Sequence, residues 1–126
     1  MPQTIAHYRW DDMPEEQITP SIGRRFISAD RVTIARFRLT RGGVVPAHKH
    51  ENEQITTVWS GALKFVFPSG GGQETIVRAG EVIQLPSNVE HEVHVLEDAI
   101  VMDVFCPVRQ DWIDKTDDYF KRAVAR

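Results

Sequence analysis

The chain has a single cysteine, Cys106, among its 126 residues, so no disulfide can form within it. A lone thiol fits a reducing compartment. Basic excess is also missing. Fifteen Lys and Arg stand against 18 Asp and Glu, a net charge of −3. Proteins that hold nucleic acid through its phosphates carry a basic surplus, and this chain has none. No apolar run approaches the roughly 20 residues of a membrane-spanning helix. Met1 to Trp10 lacks the basic-then-apolar order of a signal peptide. These absences predict a cytoplasmic chain with neither nucleic acid nor membrane as a partner. No internal repeat of about 20 to 50 residues is visible. Disorder is excluded as the main state, because 41% of the residues are apolar and 9% aromatic. The length suits one domain with a real core, spanning residues 1–126.

Punctuation is plentiful. Pro20, Gly23, Gly42, Gly43, Pro46, Gly61, Gly70 to Gly72, Gly80, Pro86 and Pro107 fall between short runs of period-two character. From Arg31 to Leu39, Ala35, Phe37 and Leu39 share one face, and Arg36 and Arg38 share the other. Gln54 to Trp59, Leu63 to Phe67, Ile76 to Arg78, Val82 to Leu85, Val93 to Leu96 and Ile100 to Phe105 read as further strands. Many short strands at regular spacing predict an all-β sandwich or barrel. Pro68-Ser-Gly-Gly-Gly72 reads as a hairpin loop. The barrel is expected over about residues 21–110, after an irregular segment 1–20. Residues 111–126 are expected to form a C-terminal helix or tail, capped by Asp111, with Ile113, Phe120 and Val124 on its apolar face.

Four of five histidines lie mid-chain: His48, His50, His91 and His94. Residues two apart on a strand project from the same face, so His48 and His50 should point into one space. Gln54 shares their parity. Glu53 does not, and should face outward. An isolated His-x-His is as readily a solvated or core pair as a metal site. Here the surroundings add weight. Gly42, His48, His50, Gln54 and Gly61 give G-x5-H-x-H-x3-Q-x6-G, and Gly80, Pro86, Asn88 and His91 give G-x5-P-x-N-x2-H.

These two blocks resemble the two motifs of the cupins over about residues 35–110. Gln54 stands in place of the motif Glu, Asn88 in place of a Gly, and Val95 in place of the final Asn. Asn tolerates positive φ, so the second change is mild. The resemblance implies a double-stranded β-helix, or jelly roll. It also implies one divalent transition metal held inside by His48, His50, Gln54 and His91. Three imidazoles and an amide oxygen are neutral, so the cation would keep its full charge. That argues against the two-His-one-carboxylate arrangement of iron oxygenases and for a Lewis acid acting on a substrate oxygen. Imidazole suits zinc, nickel, iron and copper, and manganese stays open as well. His94 has the parity opposite to His91 and should face away.

Asp103 lies in the apolar run Ile100 to Phe105, where a carboxylate is costly to bury without a partner. It shares a face with Phe105, and Arg109 follows four residues on. Two readings stand. Asp103 and Arg109 form a buried structural ion pair, or Asp103 moves a proton while Arg109 clamps a substrate carboxylate. The string from Leu96 to Trp112, with the His-x-His-x2-Glu-Gln pattern at 48–54, resembles KdgF-type cupins of pectin and alginate degradation. That group implies metal-dependent opening of 4,5-unsaturated monouronates to linear keto acids. It places Asp103, Phe105 and Arg109 at pocket positions.

The expected function is thus a metal-dependent isomerase, ring-opening enzyme or lyase acting on a sugar acid or related small carboxylate. A metal-dependent oxygenase on a small organic acid and a non-catalytic binding cupin remain the alternatives. A homodimer is expected, since pairing would cover exposed strand edges. Cys106 has no neighbouring His and reads as structural. Trp10, Trp59 and Trp112 are expected in packing or at a dimer face. Phe65 and Phe67 read as core, Lys49 as outward, and Arg36 and Arg38 as solvated.

Overall fold

Alternation in the sequence becomes alternation in burial. In the strand Thr33–Leu39, residues Thr33, Ala35, Phe37 and Leu39 are buried while the residues between them reach solvent. The structure is a computed structural model of the chain, and it describes residues 4–117. Eight strands carry it: β1 (Glu16–Thr19), β2 (Ile22–Ser28), β3 (Thr33–Leu39), β4 (Val44–His48), β5 (Glu53–Phe67), β6 (Gln73–Arg78), β7 (Val82–Leu85) and β8 (His91–Cys106). A short helix, α1 (Gln110–Ile113), follows. All pairings are antiparallel, in the order β1-β2-β3-β8-β5-β6, with β4 added to β8 and β7 to β5. This is an all-β double-stranded β-helix. No described helix is long and apolar enough to cross a membrane.

Two long strands organise the roll. The sequence breaks seen at Gly61 and at Glu97-Asp98 are bends inside β5 and β8, not strand ends. The two pair from Glu53↔Cys106 to Val66↔Glu92, with register shifts between Val58 and Leu63. Such bulges let one strand turn from one sheet face to the next. Gly61 sits at that bend with φ +82°, and a Cβ there would come within 2.1 Å of the Asp98 carbonyl oxygen. Only glycine fits so close an approach. Pro46, read as a break, lies inside β4 at the irregularity between Val45 and His48, where a missing N–H is tolerated.

The core is one cluster that includes Ile22, Phe37, Leu39, Leu63, Phe65, Val93, Val101, Phe105 and Trp112. Phe65 is buried and Phe67 packs partly buried against the cluster, as their parity predicts. The segment 1–20 is less irregular than expected. It holds a 3-10 turn at Trp10–Asp12 and strand β1, which pairs with β2 through Glu16↔Arg24. Arg24 is buried among Glu16, at 2.8 Å, and Asp117, at 2.9 Å. The helix also differs. α1 has four residues, Arg109 precedes it, and Asp111 lies in its first turn. Ile113 is exposed and Trp112 is the buried residue. Phe120 and Val124 lie outside the described residues.

Candidate metal centre

His48 closes β4, and the chain then leaves the sheet. His50 therefore lies in the loop between β4 and β5, and Gln54 on the next strand. Strand parity predicted one shared face for all three. The shared face is real, but a turn creates it. The His50 carbonyl oxygen accepts from the Asn88 amide at 2.8 Å, which ties the loop to the turn before β8. Asn88 itself has φ 64°, the conformation for which glycine is the usual residue. Asn52 Nδ2 donates to the Pro107 and Val108 carbonyls, tying the same loop to the segment that carries Arg109. His91 opens β8 directly opposite His48 in the β4–β8 pairing.

The three rings converge. Their centroids lie 4.4 Å apart for His48 and His91, 5.2 Å for His50 and His91, and 5.6 Å for His48 and His50. One ring nitrogen from each lies within 4.8 Å of the other two. Each Nδ1 faces a backbone carbonyl oxygen: Pro46 at 2.8 Å, Asn52 at 2.9 Å and Val89 at 2.9 Å. A carbonyl only accepts, so each Nδ1 carries the proton and each Nε2 presents a lone pair. Burial disfavours the charged form of all three. It pushes His48 down to about 3, helped by the neighbouring charge of His91. It pushes His50 down to about 4, helped by Arg109. His91 is lowered for the same first reason.

Gln54 completes the cluster, with Oε1 3.0 Å from His50 Nε2. With the proton on Nδ1, that contact sets two acceptors face to face. A cation resolves the repulsion, and the donor set therefore fits a divalent metal. Glu53 and Lys49 are exposed, and His94 turns away to Glu92 at 2.6 Å.

Asp103 is buried on β8 opposite Thr56 of β5. Thr56 Oγ1 donates to its Oδ1 at 2.6 Å. Burial pushes the Asp103 pKa up to about 6, against the lowering effects of the Thr56 bond and the Arg109 charge. The carboxylate in the fork of Arg109 is Asp111, through Nε at 3.0 Å and Nη2 at 2.8 Å. A structural ion pair is therefore present, but with Asp111 as the acid rather than Asp103. Burial raises Asp111, and the Arg109 hydrogen bond and charge outweigh it to leave its pKa lowered. The Arg109 guanidinium lies 4.7 Å from the Phe105 ring and 4.4 Å from the Trp112 ring. Phe105 also lies edge-on to His50 at 5.7 Å.

His48, Gln54, Thr56, His91, Asp103, Phe105, Arg109 and Trp112 border one cavity of about 50 Å³. Leu39, Leu63 and Val101 give the cavity an apolar wall. Sequence reasoning missed Thr56, Trp112 and Asp111. Thr56 could have been found, because it has the parity of Gln54 two residues earlier.

The family model described as Cupin domain matches residues 35–106. No curated protein matches the chain. Among solved structures, KdgF from Halomonas sp. is similar with a TM-score of 0.77 and 25% identity, over 85% of this chain and 99% of that one. An RmlC-like cupin from Shewanella frigidimarina NCIMB 400 has a TM-score of 0.77 and 21% identity, over 89% and 99%. A variant of oxalate decarboxylase from Bacillus subtilis has a TM-score of 0.71 and 17% identity, over 98% of this chain and 38% of that one. The last two likenesses concern the fold alone. With both motif blocks framing the converged histidines, and the family model matching more than half its length, the chain belongs to the cupin domain family.

Proposed function

We propose that this cupin is a metal-dependent enzyme acting on a small carboxylate, in the isomerase, ring-opening or lyase class, with a sugar acid as substrate. The observation that carries the reading is the neutral donor set beside a buried acid. His48, His50, Gln54 and His91 would hold one divalent transition metal, which when bound would polarise a substrate oxygen as a Lewis acid. The chain's own residues supply the rest. Asp103, held by Thr56 and raised by burial, would take a proton from substrate and return it. Arg109, buried and fixed by Asp111, lines the cavity, and a substrate carboxylate would share its guanidinium with Asp111. Phe105 gives a flat apolar wall between His50 and Arg109. The cavity of about 50 Å³ admits a small reacting group.

The likeness to KdgF supports a uronate. The neutral ligand set speaks against the oxygenase alternative. The test is conversion of 4,5-unsaturated monouronates, followed by loss of the ultraviolet absorbance of the conjugated double bond. Chelator should stop it and added divalent metal restore it. Saturable binding without conversion would overturn the enzyme reading. Pairing of two chains belongs to the same proposal. Trp59 and Val82 are 44% and 60% exposed on neighbouring strands, as an apolar contact requires. Sedimentation at a dimer mass would support it, and a monomer at working concentration would refute it.

A further inference from the structure

We infer that Thr56 is a positioning residue that decides which end of the Gln54 amide faces the histidines. The inference rests on the metal-dependent reading above and deepens it.

An amide has two ends of similar shape and opposite role, and only the oxygen can ligate a cation. In a cluster of bare imidazole nitrogens the amide is drawn the wrong way. Its NH₂ group could donate to His50 Nε2, while its oxygen meets that nitrogen as a second acceptor at 3.0 Å. Something on the far side must hold the nitrogen away. Gln54 Nε2 donates to Thr56 Oγ1 at 2.9 Å, and Thr56 Oγ1 donates onward to Asp103 Oδ1 at 2.6 Å. A hydroxyl has one proton. Given to the carboxylate, it leaves Thr56 Oγ1 as an acceptor toward Gln54, which must then present its NH₂ there and its oxygen to the rings.

The direction of the chain follows from its end, because an ionised carboxylate only accepts. All three members are buried: Gln54 is 7% exposed, Thr56 1% and Asp103 7%. Water therefore has little room to substitute for the hydroxyl. The strands fix the spacing. Gln54 and Thr56 share the inner face of β5, and Thr56 lies directly opposite Asp103 of β8. The same hydroxyl thus joins the proposed metal ligand to the proposed proton carrier.

The test is a cobalt(II) titration against a competing chelator, followed by visible absorption of the bound ion. It compares the parent chain with Thr56→Val and Thr56→Ser, then repeats Thr56→Val in a Gln54→Ala background. Loss of a group that orients a ligand lowers metal affinity about 10- to 100-fold. Thr56→Val is expected to show that loss, with an altered cobalt spectrum. Thr56→Ser, which keeps the hydroxyl, should restore both. In the Gln54→Ala background Thr56→Val should change nothing more, since its effect runs through the amide. If Thr56→Val does not fold, Thr56→Ala is read in the same two backgrounds. Parent-like affinity in Thr56→Val overturns the inference while leaving the metal reading intact. An equal loss with and without Gln54 overturns it as well, because it marks a general structural effect. A parent chain that binds no cobalt overturns both.

Discussion

Asp103→Asn is expected to stabilise the metal-free chain above pH 6 while ending turnover. Burial moves the Asp103 pKa from 3.8 to about 6. Between those values the folded chain holds a proton that the unfolded chain has released. The neutral acid's contribution is therefore complete below pH 3.8 and lost as pH rises through 6. A gap of about 2 units at about 1.4 kcal/mol per unit comes to about 3 kcal/mol. Asparagine is neutral throughout and avoids that loss. Its amide oxygen can still accept from Thr56 Oγ1, but its extra N–H lacks a partner, which costs about 1 kcal/mol. The net gain is about 2 kcal/mol at pH 8, or about 4–8 °C in Tm. At pH 4 the gain disappears and the sign reverses. The assay is thermal unfolding of both proteins in chelator from pH 4 to pH 8. A stability difference that does not change with pH would refute the assignment of Asp103 as a buried acid poised near 6.

Other outcomes follow from the same structure. Gly61→Ala should cost about 3 kcal/mol or more by denaturant unfolding, since its Cβ would meet the Asp98 carbonyl oxygen at 2.1 Å in a positive-φ conformation. Trp112→Ala should cost about 3–5 kcal/mol in the same assay, because the buried ring packs on Phe26, Phe37 and Phe105. Cobalt affinity should persist below the pH at which free imidazole protonates, because burial lowers His48 to about 3, His50 to about 4 and His91 in the same direction. In the metal-free chain the same histidines contribute stability above pH 6.5. That contribution is lost as pH falls toward 3, because the unfolded rings take up protons first. A titration of Tm against pH in chelator checks this.

The jelly roll was legible because period-two alternation maps directly onto burial, as β3 shows. The strand ends were less so. Gly61 and Glu97-Asp98 look like breaks, yet they are bends where one strand passes between sheet faces. Composition cannot separate those cases. The convergence of the histidines was legible from spacing, although the physical route was not. His50 reaches the cluster from a loop held by Asn52 and Asn88, and not by strand parity. Asp103 was visible as a polar residue in an apolar run. Its partner was not, because a hydrogen bond across 47 residues depends on the β5–β8 register. Asp111, two residues from Arg109, takes the fork that seemed open to Asp103, since local contacts need no register at all.

Metal stoichiometry tests the central claim most directly. The chain as purified should carry, or take up from solution, one divalent transition ion per molecule by elemental analysis. Single alanine substitutions at His48, His50 and His91 should each remove it without unfolding the protein. A parent chain that takes up no such ion at millimolar concentration, or three histidine variants that bind as well as the parent, would contradict the account.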